Sequence, residues 1–203
     1  MRVCVCVCAC ACVCVYHIQI GSQCTQCPLH STTFGEASTK FLDCVCNPSY
    51  SGKNAARCTE CLANTFKPAK GNYDCHACPN NTETNSGSAD INDCVCSPGY
   101  FWLHPGMPCE KCPEYTWKNF PGSGTKCNAC PQNSRSLAGS VTLQSCSCID
   151  GHYGSDGQAC APCQEGTFKA TGGSALCTTC VGAHTTSQPG AYYIEECFWC
   201  VRE

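Results

Sequence analysis

The hydrophobic positions of this chain do not recur every three to four residues over any sustained stretch, as they would in a helix that packs against a core. Aromatic residues instead stand singly between polar neighbours, as in Thr65-Phe66-Lys67, Thr116-Trp117-Lys118 and Thr167-Phe168-Lys169. An isolated aromatic residue between Thr and Lys is typical of a short strand with one buried face. We therefore predict short two-stranded ribbons and loops, with little helix.

Cysteine pairs repeat along the same chain at an interval of about 50 residues. A C-x-C pair is followed by two C-x2-C pairs, and the aromatic residue of each Thr-aromatic-Lys element comes five residues after the first C-x2-C pair. The three copies of this unit contain Cys44/Cys46, Cys58/Cys61 and Cys75/Cys78; Cys94/Cys96, Cys109/Cys112 and Cys127/Cys130; and Cys146/Cys148, Cys160/Cys163 and Cys177/Cys180. The chain is therefore predicted to be a repeat protein.

The period also sets the expected domain boundaries. They are a low-complexity Val/Cys segment at 1–20, a partial repeat at 21–45, repeat 1 at 46–95, repeat 2 at 96–147, repeat 3 at 148–197, and the truncated start of a further repeat at 198–203. Because the pattern is cut at both ends, we interpret the sequence as a fragment of a longer array.

The first sixteen residues, MRVCVCVCACACVCVY, belong to no repeat. Alternating Val and Cys is what a GT dinucleotide tract encodes, so the segment can be a translated microsatellite. Arg2 followed by an apolar run also fits a secretory signal peptide, with cleavage near Gly21 or Ser22. The run is short for a transmembrane helix. Both interpretations stay open at this point.

Composition points to disulfides as the stabilising element. The chain has 28 cysteines in 203 residues, about 14%, which exceeds the roughly 8–10% that marks a secreted disulfide scaffold. The 43% hydrophobic content includes those cysteines, so few other apolar side chains remain for a core. Charged residues make up 13%, the net charge is -3, and Lys and Arg are scattered singly. This distribution argues against nucleic acid as a partner and against a basic membrane-binding patch.

Zinc is the alternative use of these thiols, because the spacing of Cys58, Cys61, Cys75 and Cys78 lies close to that of a zinc ribbon. Six cysteines per unit do not divide into tetrahedral sets of four, and each unit would leave one C-x-C pair over. We favour disulfides and expect no metal and no cofactor. An intracellular zinc-binding cysteine array remains the competing hypothesis.

The motifs also resemble known modules. The stretch from Cys94 through Gly99 and Tyr100 to Cys109 is similar to the closing loop of EGF-like modules. The longer repeating unit, whose copies cover residues 24 to 200, resembles the ephrin-receptor-like cysteine-rich repeat, which is itself similar to tumour necrosis factor receptor repeats. This resemblance implies a small disulfide-rich fold: a linear array of modules with short β-ribbons and little helix. Ser49 in place of the glycine, and His152 inserted ahead of Tyr153, are expected to change the shape of the corresponding loops in repeats 1 and 3.

The resemblance further implies a disulfide pairing, which spacing alone leaves open among fifteen connectivities per unit. The implied bonds are Cys24–Cys44; Cys46–Cys58, Cys61–Cys78 and Cys75–Cys94; Cys96–Cys109, Cys112–Cys130 and Cys127–Cys146; and Cys148–Cys160, Cys163–Cys180 and Cys177–Cys197. Cys27 and Cys200 are left without a partner in this scheme.

Three further features bear on function. Asn80-Asn81-Thr82 is an N-glycosylation sequon. Tyr100, Phe101 and Trp102 form a candidate protein-binding patch, although such aromatic residues more often pack over a nearby disulfide. The acidic stretch Asp90-Ile91-Asn92-Asp93 is interpreted as a polar loop and not as a calcium site.

The six histidines fall at non-equivalent positions and the carboxylates are dispersed, so no enzymatic activity is expected. The resemblance implies a secreted protein or a membrane-protein ectodomain that acts as a spacer or protein-binding region of a receptor-like, adhesion or matrix protein. Its partners would be an unknown protein ligand or neighbouring domains, and a membrane would be reached only through a segment outside these residues.

Overall fold

The computed structural model describes residues 12–14, 24–35, 38, 40–53, 56–104, 107–182 and 184–199. Apart from the strand at 12–14, the segment interpreted as a signal peptide or translated microsatellite lies outside the described residues. Cys200 and the residues that follow it also lie outside them. By Cα proximity the chain forms two compact units, Met1–Val95 and Cys96–Glu203.

Very short strands make up most of the regular structure. They are β1 Cys12–Cys14, β2 Cys24–Gln26, β3 Ser31–Thr32, β4 Val45–Cys46, β5 Tyr50–Ser51, β6 Thr59–Glu60, β7 Thr65–Phe66, β8 His76–Ala77, β9 Thr82–Glu83, β10 Val95–Cys96, β11 Tyr100–Phe101, β12 Glu110–Lys111, β13 Thr116–Trp117, β14 Asn128–Ala129, β15 Ser134–Arg135, β16 Ser147–Cys148, β17 His152–Tyr153, β18 Ala161–Pro162, β19 Thr167–Phe168, β20 Thr178–Thr179, β21 His184–Thr185 and β22 Phe198–Trp199. The helices of the described residues are four 3-10 turns, Phe41–Asp43, Ile91–Asp93, Leu143–Ser145 and Ile194–Glu196.

Strands adjacent in the chain pair antiparallel. In the first unit β1 pairs with β2, β3 with β4, β5 with β6 and β7 with β8. In the second unit the pairs run from β11 with β12 to β21 with β22. The Thr-aromatic strands β7, β13 and β19 are the predicted short strands, and the described residues contain little helix, as predicted.

Disulfides close these ribbons one after another. Twenty consecutive cysteines are joined two by two. Each bond spans 12 to 17 residues, so the loops follow one another and do not overlap. The ten bonds are Cys27–Cys44, Cys46–Cys58, Cys61–Cys75, Cys78–Cys94, Cys96–Cys109, Cys112–Cys127, Cys130–Cys146, Cys148–Cys160, Cys163–Cys177 and Cys180–Cys197.

This connectivity corrects the pairing that the resemblance implied. The bond that follows each C-x-C pair is present as expected. The implied pairs that the structure does not contain are Cys24–Cys44, Cys61–Cys78, Cys75–Cys94, Cys112–Cys130, Cys127–Cys146, Cys163–Cys180 and Cys177–Cys197. Cys27, which was expected to lack a partner, bonds to Cys44.

Ribbon geometry explains the difference. In repeat 1, β7 and β8 pair with Phe66 opposite His76, which brings the cysteine that precedes β8 back beside the cysteine that opens the ribbon. The Cα atoms of Cys61 and Cys75 are 5.8 Å apart, within the usual disulfide range. Cys78 follows β8 and opens the next loop, where its Cα lies 5.8 Å from that of Cys94.

The two expected departures in the closing loops do not change the backbone. Ser49 adopts a φ of 71°, close to the 78° of Gly99 and the 72° of Gly151. His152 is the first residue of β17, as Tyr100 is the first residue of β11, so it replaces the tyrosine and is not an insertion. The opening turns of the three loops therefore have the same left-handed residue, and neither Ser49 nor His152 changes the backbone at its own position.

Cysteines make up most of the buried hydrophobic residues. Thirteen of the seventeen buried hydrophobic residues in the described part of the chain are cysteines; the others are Val45, Phe66, Trp102 and Ala191. A core of this kind stabilises through covalent cross-links more than through apolar burial.

Candidate functional site

The described disulfide loops begin with a tight turn at the third residue after the opening cysteine. That residue has a positive φ, between 60° and 78°, in nine of the ribbons. The nine residues are His30, Ser49, Asn64, Asn81, Gly99, Tyr115, Asn133, Gly151 and Gly166. The left-handed conformation favours Gly and Asn, which fill six of these positions. The turn is therefore shared by the nine disulfide loops in which this position is described, and it is not confined to the C-x-C loops.

In six of these turns the residue after the left-handed one is Ser or Thr, and its hydroxyl forms a hydrogen bond within the turn. The Ser or Thr hydroxyl donates to the carbonyl oxygen three residues earlier, at 2.6 to 2.7 Å. The hydroxyls are those of Ser31, Thr65, Thr82, Thr116, Ser134 and Thr167. This contact explains the Thr of the Thr-aromatic-Lys element, since a side chain that bonds a nearby carbonyl favours a turn.

The lysine of the same element is buried in all three repeats. Lys67, Lys118 and Lys169 are 0%, 3% and 5% exposed. The Lys67 ammonium donates to the carbonyl oxygens of Tyr50 at 2.5 Å and Gly71 at 2.6 Å. Lysine is almost never fully buried unless its charge is satisfied, and here backbone carbonyls satisfy it.

The other two lysines repeat this arrangement. Lys118 donates to the carbonyl oxygens of Tyr100 at 2.8 Å and Gly122 at 2.9 Å. Lys169 donates to the carbonyl oxygens of His152 at 2.8 Å and of Gly173. In each repeat one lysine thus ties the closing loop after C-x-C to the turn that follows the Thr-aromatic strand.

Burial also changes the acidity of these groups. Desolvation lowers the pKa of Lys67 below its ordinary value of 10.5. It lowers the pKa of Lys169 as well, where the nearby Asp150 and Asp156 carboxylates oppose the shift. Sequence reasoning noted these lysines but missed their burial. The signal was their recurrence after the aromatic residue in all three copies.

The aromatic patch is divided between core and surface. Trp102 is 3% exposed and packs against Cys96, Cys109 and Tyr100. Its indole nitrogen donates to the carbonyl oxygen of Met107 at 3.0 Å. Trp102 therefore covers the disulfide of its own loop, and its burial removes it from any contact surface. Tyr100 and Phe101 are half-buried.

The acidic stretch of repeat 1 caps a 3-10 helix. Asp93 accepts hydrogen bonds from the backbone N–H groups of Ala89 at 3.2 Å and Asp90 at 3.1 Å, and Asp90 accepts one from Asn92. These carboxylates have local backbone partners, as helix-capping residues do.

Repeat 2 departs from that pattern next to an open cleft of about 530 Å³. The helix-end acid of the other copies, Asp43, Asp93 or Glu196, is Ser145 here. Arg135, on the neighbouring strand β15, lines the cleft together with Ser147 and the 78% exposed Leu137, while Glu114 lies at the same cleft. The structure thus exposes one cation and one large apolar side chain at a single surface depression.

Two features of the described residues bear on other functions. Among them, no group of three or more His, Cys, Asp or Glu side chains is arranged to hold a metal ion. No helix in this part of the chain has the length and apolarity needed to cross a membrane.

The fold and its cysteine spacing define a class of extracellular-type modular repeat, and comparison with known proteins identifies the kind of repeat. The family described as "Tyrosine-protein kinase ephrin type A/B receptor-like" matches residues 49–94 and 151–197. These two segments are ephrin-receptor-like cysteine-rich repeats, as predicted.

Curated relatives have the same modular character. Cysteine repeat modular protein A of Toxoplasma gondii is 31% identical over 85% of this chain, which corresponds to 6% of that protein. Signal peptide, CUB and EGF-like domain-containing protein 2 of Danio rerio is 29% identical over 78% of the chain and 17% of that protein. Ephrin type-B receptor 3 of Xenopus laevis is 33% identical over 34% of the chain and 7% of the receptor. The chain therefore spans a small part of the length of these relatives, whose names describe modular and receptor proteins.

Proposed function

We propose that this chain is the extracellular, non-enzymatic cysteine-rich region of a receptor-like, adhesion or matrix protein, with repeats 46–95, 96–147 and 148–197 as its working units. The ten consecutive disulfides carry the proposal. Disulfides persist in oxidising compartments, and thiols committed to them are not ligands for zinc, so this bonding favours an extracellular array over the intracellular zinc-binding one.

The first test is the oxidation state of the secreted protein. The full chain is expressed behind a secretion signal, free thiols are alkylated under denaturing conditions, and intact mass and zinc content are measured on one sample. We expect the twenty cysteines of the ten disulfides to resist alkylation and zinc to be absent. Many alkylated thiols with stoichiometric zinc would instead establish the zinc array.

Such a region can act either as a spacer or as a protein-binding surface, and the cleft of repeat 2 offers a way to distinguish the two roles. A spacer holds neighbouring domains apart and needs no contact surface of its own. A protein-binding region needs exposed anchors, and Arg is enriched among the residues that dominate binding energies. Arg135 supplies such an anchor beside the exposed Leu137. Ser145 replaces the helix-end acid, so Glu114 is the one carboxylate among the described residues that line the cleft.

We infer that the cleft binds a protein partner that places one carboxylate on Arg135 and one apolar side chain on Leu137. The measurement is saturable binding of the fluorescent, secreted chain to cultured cells, with the hydrodynamic radius measured in parallel. Arg135→Glu should abolish binding at an unchanged radius, whereas Arg57→Glu, at an exposed position in repeat 1, should preserve it. Equal binding by both variants would exclude the cleft, and no binding by the unsubstituted chain would favour the spacer. Substitution of Trp102 is unsuitable because its side chain is buried.

A further inference from the structure

The sequon of repeat 1 lies in the opening turn of a disulfide loop. Asn80 is the second residue after Cys78 and is exposed, and the strand β9 begins two residues later at Thr82. The equivalent positions of the other copies are also at the surface: Leu29 is 61% exposed, and Gln132 and Gly182 are exposed. The fold therefore directs this position to solvent in every copy.

The hydroxyl of the sequon has a structural reason of its own. Ser or Thr occupies the position of Thr82 in the turns of other ribbons, where its hydroxyl bonds the carbonyl three residues earlier. Thr82 alone therefore does not indicate modification. Asn80 is the residue that distinguishes this loop, because Leu29 and Gln132 precede the same kind of hydroxyl residue without forming a sequon.

The folded turn uses the hydroxyl that glycosylation also requires. Thr82 Oγ1 donates to the carbonyl oxygen of Pro79 at 2.6 Å, and the Thr82 backbone N–H donates to the same oxygen at 3.2 Å. The transferase recognises the Asn and the hydroxyl residue together in the Asn-x-Ser/Thr motif. A turn that is already closed, with Cys78 bonded to Cys94, holds this hydroxyl in another contact.

We propose that Asn80 carries an N-linked oligosaccharide and that it is added before the Cys78–Cys94 loop folds. The donor is a lipid-diphosphate-linked oligosaccharide. The Asn80 amide nitrogen forms the bond to the anomeric carbon and loses one proton, while the carbon–oxygen bond to the lipid diphosphate breaks and the lipid diphosphate leaves. This inference rests on the proposed extracellular function, because the modification occurs in the secretory pathway.

The first experiment locates the glycan on the secreted full chain. Peptide-N-glycosidase in heavy-oxygen water converts a glycosylated Asn to labelled Asp, which peptide mass spectrometry assigns. We expect label at Asn80, and no label there in Asn80→Gln. Gln132→Asn creates Asn-Asn-Ser in the equivalent turn of repeat 2 and should acquire a second glycan.

The outcomes separate this proposal from the function on which it rests. A chain that is secreted and disulfide-bonded but unlabelled at Asn80 would overturn the glycan and leave the extracellular array intact. A chain that is retained in the cell with free thiols would overturn the extracellular function itself.

A second experiment tests the order of events. The full chain is made without glycan in a bacterial host, oxidatively refolded, and offered to microsomal transferase with lipid-linked oligosaccharide, beside a sample that has been reduced and alkylated. We expect at least tenfold greater modification of Asn80 in the reduced chain. Equal modification of the two samples would show that the folded turn accepts the glycan and would overturn the proposed order.

Discussion

Nine of the described ribbons begin with the same backbone conformation. The third residue after the opening cysteine is left-handed whether it is Gly, Asn, Ser, His or Tyr. For a residue with a Cβ atom this conformation costs roughly 1–2 kcal/mol. Within the closing loops, Ser49 bears this cost where repeats 2 and 3 have Gly99 and Gly151. The backbone of repeat 1 is therefore strained at Ser49, and a glycine at this position would relieve the strain.

Ser49→Gly is expected to stabilise the protein by about 0.5–1 kcal/mol, after the entropic penalty of glycine in the unfolded chain is subtracted. Gly99→Ala should destabilise it by more than 1 kcal/mol, because the added Cβ would lie 2.5 Å from the carbonyl oxygen of Gly139. Denaturant unfolding of the oxidised protein measures both changes. Ser155→Gly, at an exposed loop position, is the control and should give no gain. A loss of stability in Ser49→Gly would contradict the strain.

The buried lysines donate hydrogen bonds to backbone carbonyl oxygens of two different loops. Lys67→Ala leaves the carbonyl oxygens of Tyr50 and Gly71 without this donor and opens a cavity, and we expect a loss of about 3 kcal/mol in unfolding free energy. Lys67→Met keeps much of the volume and should lose less. Lys126→Ala, at an exposed position, serves as the control. Unfolding midpoints equal to that of the unsubstituted protein in both Lys67 variants would refute a structural role.

Burial of Lys67 also predicts a pH dependence. Its folded pKa lies below 10.5, so between these two values the unfolded chain binds more protons than the folded chain, and stability rises with pH. Lys67→Met lacks this contribution. The stability gap between the unsubstituted protein and Lys67→Met should therefore widen as pH rises toward 10.5, in urea unfolding with free thiols alkylated. If the stability difference instead narrows as pH rises toward 10.5, folding raises the pKa of Lys67 and does not lower it.

At the scale of elements, sequence reasoning located the ribbons but not their connections. The pattern around Phe66 and Phe168 predicted strands correctly, because an aromatic residue between polar neighbours indicates a half-buried strand. The burial of Lys67 could not be read from that pattern, since it depends on carbonyls brought together by folding. The sequence also left the partner of Cys61 open, because Cys75 and Cys78 lie at similar distances along the chain. The register of β7 and β8 places Cys75 beside it.

The corrected connectivity makes a prediction for paired substitutions. Cys61→Ser with Cys75→Ser removes one complete bond, so it should add no free thiol and should cost about 3 kcal/mol for a loop of 14 residues. Cys61→Ser with Cys78→Ser removes halves of two bonds and should expose two thiols, those of Cys75 and Cys94. Alkylation and intact mass count the thiols. The reverse pattern of counts would support the pairing that the resemblance implied.

At the scale of the molecule, adjacent ribbons are linked by hydrogen bonds as well as by the chain. The backbone N–H of Lys67 donates to the carbonyl oxygen of Ser88 at 3.1 Å, and that of Lys118 donates to Ser140 at 3.1 Å. Such contacts join a loop to its neighbour within each unit. Each loop is therefore stabilised in part by the loop next to it, as in other repeat proteins. The disulfides, in contrast, each close one loop.

Reduction is therefore expected to unfold the protein and not merely loosen it. Most buried hydrophobic residues of the described chain are cysteines, and its paired strands are two or three residues long, so little apolar burial or strand pairing remains once the bonds are cut. Far-ultraviolet circular dichroism in excess reductant should lose the features of the oxidised protein, with a non-reduced sample as the control. A native-like spectrum after complete reduction, verified by alkylation of the cysteines, would show that the remaining contacts suffice and that the sulfur core does not maintain the fold.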